Sequence, residues 1–373
     1  MTYARRLAPA AMLAGTVIGA GVFALPALAV QSGFVVAALL LVVLTGVMVV
    51  LHLMLGDISV AMETPHRIPG YAAAYLGSRA GRLSLLATLA GVGGVLLAYL
   101  VLLDAFAKDI FGQVPDSRFA VSGWLLLTLL VIGGIRTIAQ TEVAMSVVLA
   151  LLLAYVAFAA APHISTTNLT AFGSWGSVLA PFGAILFSLG GFSAVPEMQQ
   201  FFGRDRRAFR RAIIAGILFS AALYLLFMTA FVGAFGSTLT ETLTDAARAL
   251  GRGPEIALSL FGVIAVATSY LMLGAYFVDT LTHDLRLPRA AARAALALPL
   301  LLFALGMRDF LLLVGIVGSV FAGSDGTVIV LSWLRLRKSG QYPGMLPFSY
   351  RAVMVSGVLF GAGVVGSIVA EVV

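Results

Sequence analysis

The chain has 373 residues, 61% hydrophobic and 10% charged, with a mean hydropathy of +1.06. That balance is far from the soluble norm and predicts an all-α integral membrane protein in contact with lipid. Its net charge of +7 is no sign of a nucleic-acid partner, because the basic residues alternate between loops, and the absence of cysteine removes disulfides and thiolate metal sites.

Apolar runs of about 20 residues, the length needed to cross hydrocarbon, begin near Pro9, Phe34, Arg82, Ala120, Ala139, Val178, Arg210, Glu255, Ala291, Phe310 and Ala352, which makes 11 transmembrane helices. With the N-terminus cytoplasmic, Lys108, Arg118, Arg248, Arg252 and Arg308 fall outside and the other 18 of the 23 basic residues inside. This is the positive-inside pattern. The odd number of spans puts the C-terminus outside, in a cell membrane of the prokaryotic inner-membrane kind.

Span one carries Gly15-Thr16-Val17-Ile18-Gly19-Ala20-Gly21 and then Pro26. Glycine and proline weaken a helix, so the span divides into two halves. The N–H groups near Gly19, Ala20 and Gly21 are then unsatisfied and sit at the positive end of a helix dipole, a natural seat for a carboxylate. Gly19 to Ala24 also fits a dinucleotide-binding pattern, which is rejected because no strand precedes it. Arg5, Arg6 and Ala27-Leu28-Ala29 imitate a signal peptide; the span is read as uncleaved.

The stretch from Gly56 to Gly81, with Asp57, Glu63 and Arg67, reads as an interfacial helix and turn. In span three, Tyr99 is an aromatic gate over substrate and Asp104 a solvated interfacial group. Span six runs Phe187-Ser188-Leu189-Gly190-Gly191-Phe192-Ser193-Ala194-Val195-Pro196-Glu197. Its paired glycines and proline free carbonyls near Phe187, Ser188 and Gly190 to accept from an ammonium group, with Phe192 as a second gate. Together the two breaks make a receptor for the backbone of an amino acid. Thr16, Tyr99 and Phe192 surround its side chain, and no charged residue is seen to enter, which favours a neutral substrate. Glu197 is read as the partner of an arginine.

Between Gly236 and Pro254, Leu239, Leu243, Ala246, Ala247 and Leu250 share one helical face, as a lid or a connector helix. In span eight Ala265, Thr268 and Ser269 share a face; with carbonyls at Gly15 and Ile18 they offer five oxygens to a sodium ion. The two hydroxyls can equally bond back to the preceding turn. Asp325 in span ten is a further intramembrane carboxylate. Gly357 and Gly361 in span eleven make a small packing face.

Gly21 to Pro26 is echoed by Gly191 to Pro196 at an offset of 170 residues, which also maps span two onto seven, three onto eight and five onto ten. A repeat of five spans must insert the second time upside down. Residues 1–373 thus form one membrane transporter domain: repeat one at about 9–161, repeat two at about 178–334, and an extra helix at about 352–372.

The segments Gly15–Pro26, Phe187–Glu197 and Phe261–Leu271 resemble the amino acid/polyamine/organocation superfamily, in its aromatic and hydroxy amino acid permease branch, which is related to the amino acid/auxin permeases. The resemblance implies a 5+5 inverted repeat of leucine-transporter type and alternating access around broken helices 1 and 6. It places the substrate carboxylate on Gly19 to Gly21 and the ammonium on Phe187 to Gly191, and a sodium site on Gly15, Ile18, Ala265, Thr268 and Ser269. Proton-coupled relatives carry a lysine in span five; Ala139 to Ala161 has none, which favours sodium. Proton-coupled symport, exchange and, from another class, a channel stay open as alternatives. An enzyme is not expected, since His52, His66, His163 and His283 lack ligand spacing.

Overall fold

The computed structural model describes residues 3–62, 66–112, 117–133, 138–202, 205–239, 243–340, 344–346 and 350–372. Glu63, Arg136 and Arg204, which entered the reading of the loops, lie outside these. The described elements are helical. The first is α1 (Tyr3–Val17), followed by a 3-10 turn at Ala20–Phe23, α2 (Leu25–Ser32), α3 (Phe34–Ala61), α4 (Ile68–Leu76), α5 (Ser78–Phe111), α6 (Arg118–Gly133) and α7 (Ile138–Ala160). Then come α8 (Thr166–Thr170), α9 (Ala180–Ser188), α10 (Ala194–Phe202), α11 (Arg206–Phe235), α12 (Leu243–Ala249) and α13 (Arg252–Asp279). The chain ends with α14 (Arg289–Ala294), α15 (Leu298–Ala304), α16 (Phe310–Ile316), α17 (Gly323–Lys338) and α18 (Tyr350–Val372).

Six stretches among the described residues are long and apolar enough to cross a membrane: Phe34–Ala61, Ser78–Phe111, Met145–His163, Arg206–Thr238, Arg252–Asp284 and Phe310–Lys338. A seventh is the pair Pro9–Val17 and Ala20–Ser32, bent by 45°. Arg118–Gly133, Trp175–Ser188 and Val353–Gly366 are apolar but shorter. The span expected from Ala291 is divided by a 3-10 turn at Ala295–Ala297, with Pro299 opening α15. Breaks therefore separate a count of apolar runs from a count of uninterrupted helices.

α5 packs along α13 and α4, and α1 lies on α11 and α7. Between α16 and α17 the helix widens into a π-turn at Val317–Ala322. A side chain on Gly318 there would overlap the carbonyl of Gly183 on α9, so the two backbones are in direct contact. The expectation for Gly56 to Gly81 needs one correction. α3 runs on to Ala61, and Asp57 is buried within it, accepting from Trp333 Nε1 at 3.1 Å and Met345 N at 2.8 Å. Only α4 forms the short helix foreseen there. The Gly236–Pro254 stretch does hold a short helix, α12, with Leu239, Leu243 and Ala247 buried.

Candidate substrate site

The first break begins where the α1 ladder ends, with Ile18 N bonded to Ala14 O at 2.7 Å and Gly19 N turned to Val17 O at 2.8 Å. Gly19 is extended, at φ −125 and ψ −152, and the 3-10 turn then leads into α2 with Pro26 in its first turn. The first N–H groups of that turn, at Ala20 and Gly21, have no helical acceptor behind them. The second break is the five-residue gap between Ser188 and Ala194, where Gly190 N bonds to Phe187 O at 3.2 Å and Ala194 N to Gly191 O at 3.0 Å.

The two breaks touch. A side chain at Gly21 would overlap Ser188 and come within 2.8 Å of Phe187. Tyr224 of α11 braces the junction: its hydroxyl lies 2.5 Å from Val17 O and 2.9 Å from Ser188 O. One hydroxyl proton is shared between the last carbonyl of α1 and the last of α9. Sequence reading missed this residue.

A cavity of about 120 Å³ opens at the junction. Thr16, Gly19, Ala20, Gly21, Tyr99, Phe187, Gly190 and Phe192 line it. Ser188 and Gly191 do not. Ser188 Oγ donates to Ala184 O at 2.7 Å, and its carbonyl is held by Tyr224. Gly191 faces Val17 and Leu13, with His52 Nε2 3.3 Å from where a Cβ would stand. The His52 ring lies 4.5 Å from that of Phe192, with Nδ1 bonded to Met48 O and Nε2 buried without a partner.

The five residues read as a sodium site are divided. Gly15 and Thr268 share a small cleft with Ser146. Thr268 Oγ1 donates to Ile264 O and Ala265 O at 3.0 and 3.1 Å, which occupies the Ala265 carbonyl but leaves the hydroxyl lone pairs. Ser269 Oγ turns the other way, 3.0 Å from the Cβ position of Gly19 and near the Tyr99 hydroxyl, and has no partner within hydrogen-bond geometry. Ile18 is fully buried.

Other carboxylates depart from expectation. Asp104 is buried, not solvated: it pairs with Lys108 at 2.5 Å and caps α6 by accepting from Ala120 N at 3.1 Å. Glu197 is exposed and accepts from Gln200 Nε2 at 3.0 Å. Asp325 lines the cavity, with Thr88 and Tyr276. The expectation that no charge enters the pocket therefore does not hold. The sequence had marked Asp325 as a costly intramembrane group, but only the fold brings it to the same cavity as the breaks.

The cavity is closed on one side. Phe23, in the 3-10 turn of the first break, packs on Phe106 at 4.6 Å, Phe261 at 5.6 Å and Phe227 at 6.3 Å, all buried. Beyond this plug Arg248 of α12 reaches Glu255 at 2.7 Å, Asp245 at 3.0 Å and Asp109 at 3.6 Å. The hydrogen bond it donates to Glu255, and the charge of that carboxylate, raise the Arg248 guanidinium above its ordinary value. In the opposite direction the lining is partly exposed and continues to Ile68, Tyr276 and Asp325. There Arg67 pairs with Asp279 at 2.7 Å and lies 5.6 Å from the Tyr276 ring centroid.

A sequence model of the tryptophan/tyrosine permease family matches residues 4–370. The chain belongs to the tryptophan/tyrosine permease family. No curated protein matches this permease. Among solved structures it is similar to that of MhsT in complex with L-phenylalanine, with a TM-score of 0.73 over 98% of each chain at 16% identity. That likeness shows a shared all-helical fold of leucine-transporter type. The permease is thus a multi-pass membrane transporter of amino acids and not an enzyme.

Proposed function

We propose that the permease carries a neutral, aromatic L-amino acid inward by alternating access, coupled to sodium. The observation that carries this reading is the contact of the two breaks at Gly21 and Ser188, over a cavity walled by Tyr99, Phe187 and Phe192. The N–H groups of Ala20 and Gly21 take the α-carboxylate, and the carbonyls around Phe187 and Gly190 take the α-ammonium. A zwitterion is then held by main-chain groups, without burying charged side chains at the breaks. The phenylalanine bound to MhsT favours an aromatic side chain.

Sodium is supported by the cleft that Gly15 and Thr268 share. Binding there requires Ser269 to turn from Gly19 toward Thr268. The domain reading goes with this mechanism: residues 1–373 as one transporter domain of eleven crossings, with repeats at about 9–161 and 178–334, the last helix at about 352–372, the N-terminus cytoplasmic and the C-terminus outside. The resemblance of the motifs at the breaks supports assigning it to the aromatic and hydroxy amino acid branch of the amino acid/polyamine/organocation superfamily.

Uptake into proteoliposomes tests this. A sodium gradient is expected to drive saturable uptake of L-tryptophan or L-phenylalanine, and the double variant Thr268→Ala with Ser269→Ala to abolish the sodium dependence. Sodium dependence unchanged in that variant would remove the site, and ungated flux would favour a channel.

A further inference from the structure

We propose that Asp325 and Thr88 form a second station in the cavity, which receives the ammonium group of an amino acid leaving the paired breaks toward the Arg67 end. This rests on the amino-acid reading above. Among the described lining residues Asp325 is the one acidic or basic side chain. The nearby guanidinium of Arg67 is already committed to Asp279 at 2.7 Å. A carboxylate in such a wall is costly unless a cation or water meets it.

Thr88 adds a second polar group to the station. Its residue is 4% exposed, and its hydroxyl lies on the same cavity wall within reach of the Asp325 carboxylate, in a contact that falls short of good hydrogen-bond geometry. Buried hydroxyls are seldom left unpaired. A primary ammonium has three donors, enough to meet the carboxylate and the hydroxyl together with a charge-assisted bond. The traffic expected in a cavity continuous with the breaks is substrate, and its ammonium is the cation every amino acid brings.

Geometry makes the two stations sequential. Tyr99 and Thr88 are eleven residues apart on α5, about 16 Å along the axis at 1.5 Å per residue. One amino acid cannot hold its carboxylate at the breaks and its ammonium at Asp325 at once. Thr88 is also the nearer of the two to Ser78, the end of α5 that follows α4 and Arg67. Asp325 therefore draws the amine on after the breaks release the carboxylate.

Calorimetric titration with three probes separates the stations: tryptamine, which has the amine alone; 3-indolepropionate, which has the carboxylate alone; and L-tryptophan. Asp325→Asn is expected to weaken tryptamine about tenfold or more, Thr88→Val about threefold, and Asp325→Glu to restore binding. Binding of 3-indolepropionate is expected to stay unchanged in all three, which also shows that they fold. Equal tryptamine affinity in the wild type and Asp325→Asn would overturn the station. So would a loss of pH or sodium dependence of L-tryptophan binding in Asp325→Asn with tryptamine unaffected, since the carboxylate would then serve a proton or sodium. Failure of L-tryptophan to bind the wild type would overturn instead the amino-acid reading beneath it.

Discussion

At the residue scale the site depends on two groups that do different work, Gly21 and Tyr224. Gly21 has no space for a methyl group because Ser188 occupies it. Gly21→Ala is expected to push the breaks apart, costing about 1–3 kcal/mol and abolishing amino-acid binding. Gly19→Ala meets the Ser269 hydroxyl at 3.0 Å, which a rotamer change relieves, and the Tyr99 hydroxyl at 3.3 Å, but no backbone, so its binding loss is expected to be smaller. Tyr224→Phe keeps the ring but takes the hydroxyl donor from the Ser188 carbonyl and leaves Val17 O with Gly19 N alone, for a loss of about 1–3 kcal/mol in thermal unfolding. The sequence announced the glycines because Gly and Pro interrupt an otherwise apolar run. It could not announce Tyr224, since a tyrosine in an apolar span becomes informative only when the carbonyls it meets, 36 and 207 residues away, are placed beside it.

At the element scale, broken helices need neighbours that hold their ends. α9 is held by direct backbone approach: Gly318→Ala would press against the Gly183 carbonyl, which cannot rotate away. A fall in stability larger than that of Gly21→Ala is expected, read as a lower midpoint of thermal unfolding. α12 is held by charge. Arg248→Ala is expected to loosen it against α13 only slightly, since the guanidinium is half exposed, read as faster hydrogen exchange in Leu243–Ala249. Element positions were largely legible because hydrophobic length sets them. The division of the expected sodium residues was not: Thr268 and Ser269 are adjacent, about 100° apart around α13, so each can serve a different neighbour. Which neighbour each faces depends on helices that the local spacing does not describe.

At the scale of the whole molecule the aromatic plug of Phe23, Phe106, Phe227 and Phe261 closes the Arg248 side while partly exposed lining continues toward Arg67. The chain has no cysteine, so a single one reports cleanly. In Ala322→Cys an impermeant maleimide is expected to react from the Arg67 side and to slow when L-tryptophan is present. The central claim is that two broken helices lend main-chain groups to a free α-carboxylate and α-ammonium. Competition against radiolabelled L-tryptophan uptake in proteoliposomes tests it most directly. Unlabelled L-tryptophan and L-phenylalanine are predicted to compete, whereas N-acetyl-L-tryptophan and L-tryptophan methyl ester, each with one α-group blocked, are predicted to fail. Equal competition by the blocked compounds, or no saturable uptake at all, would contradict the account.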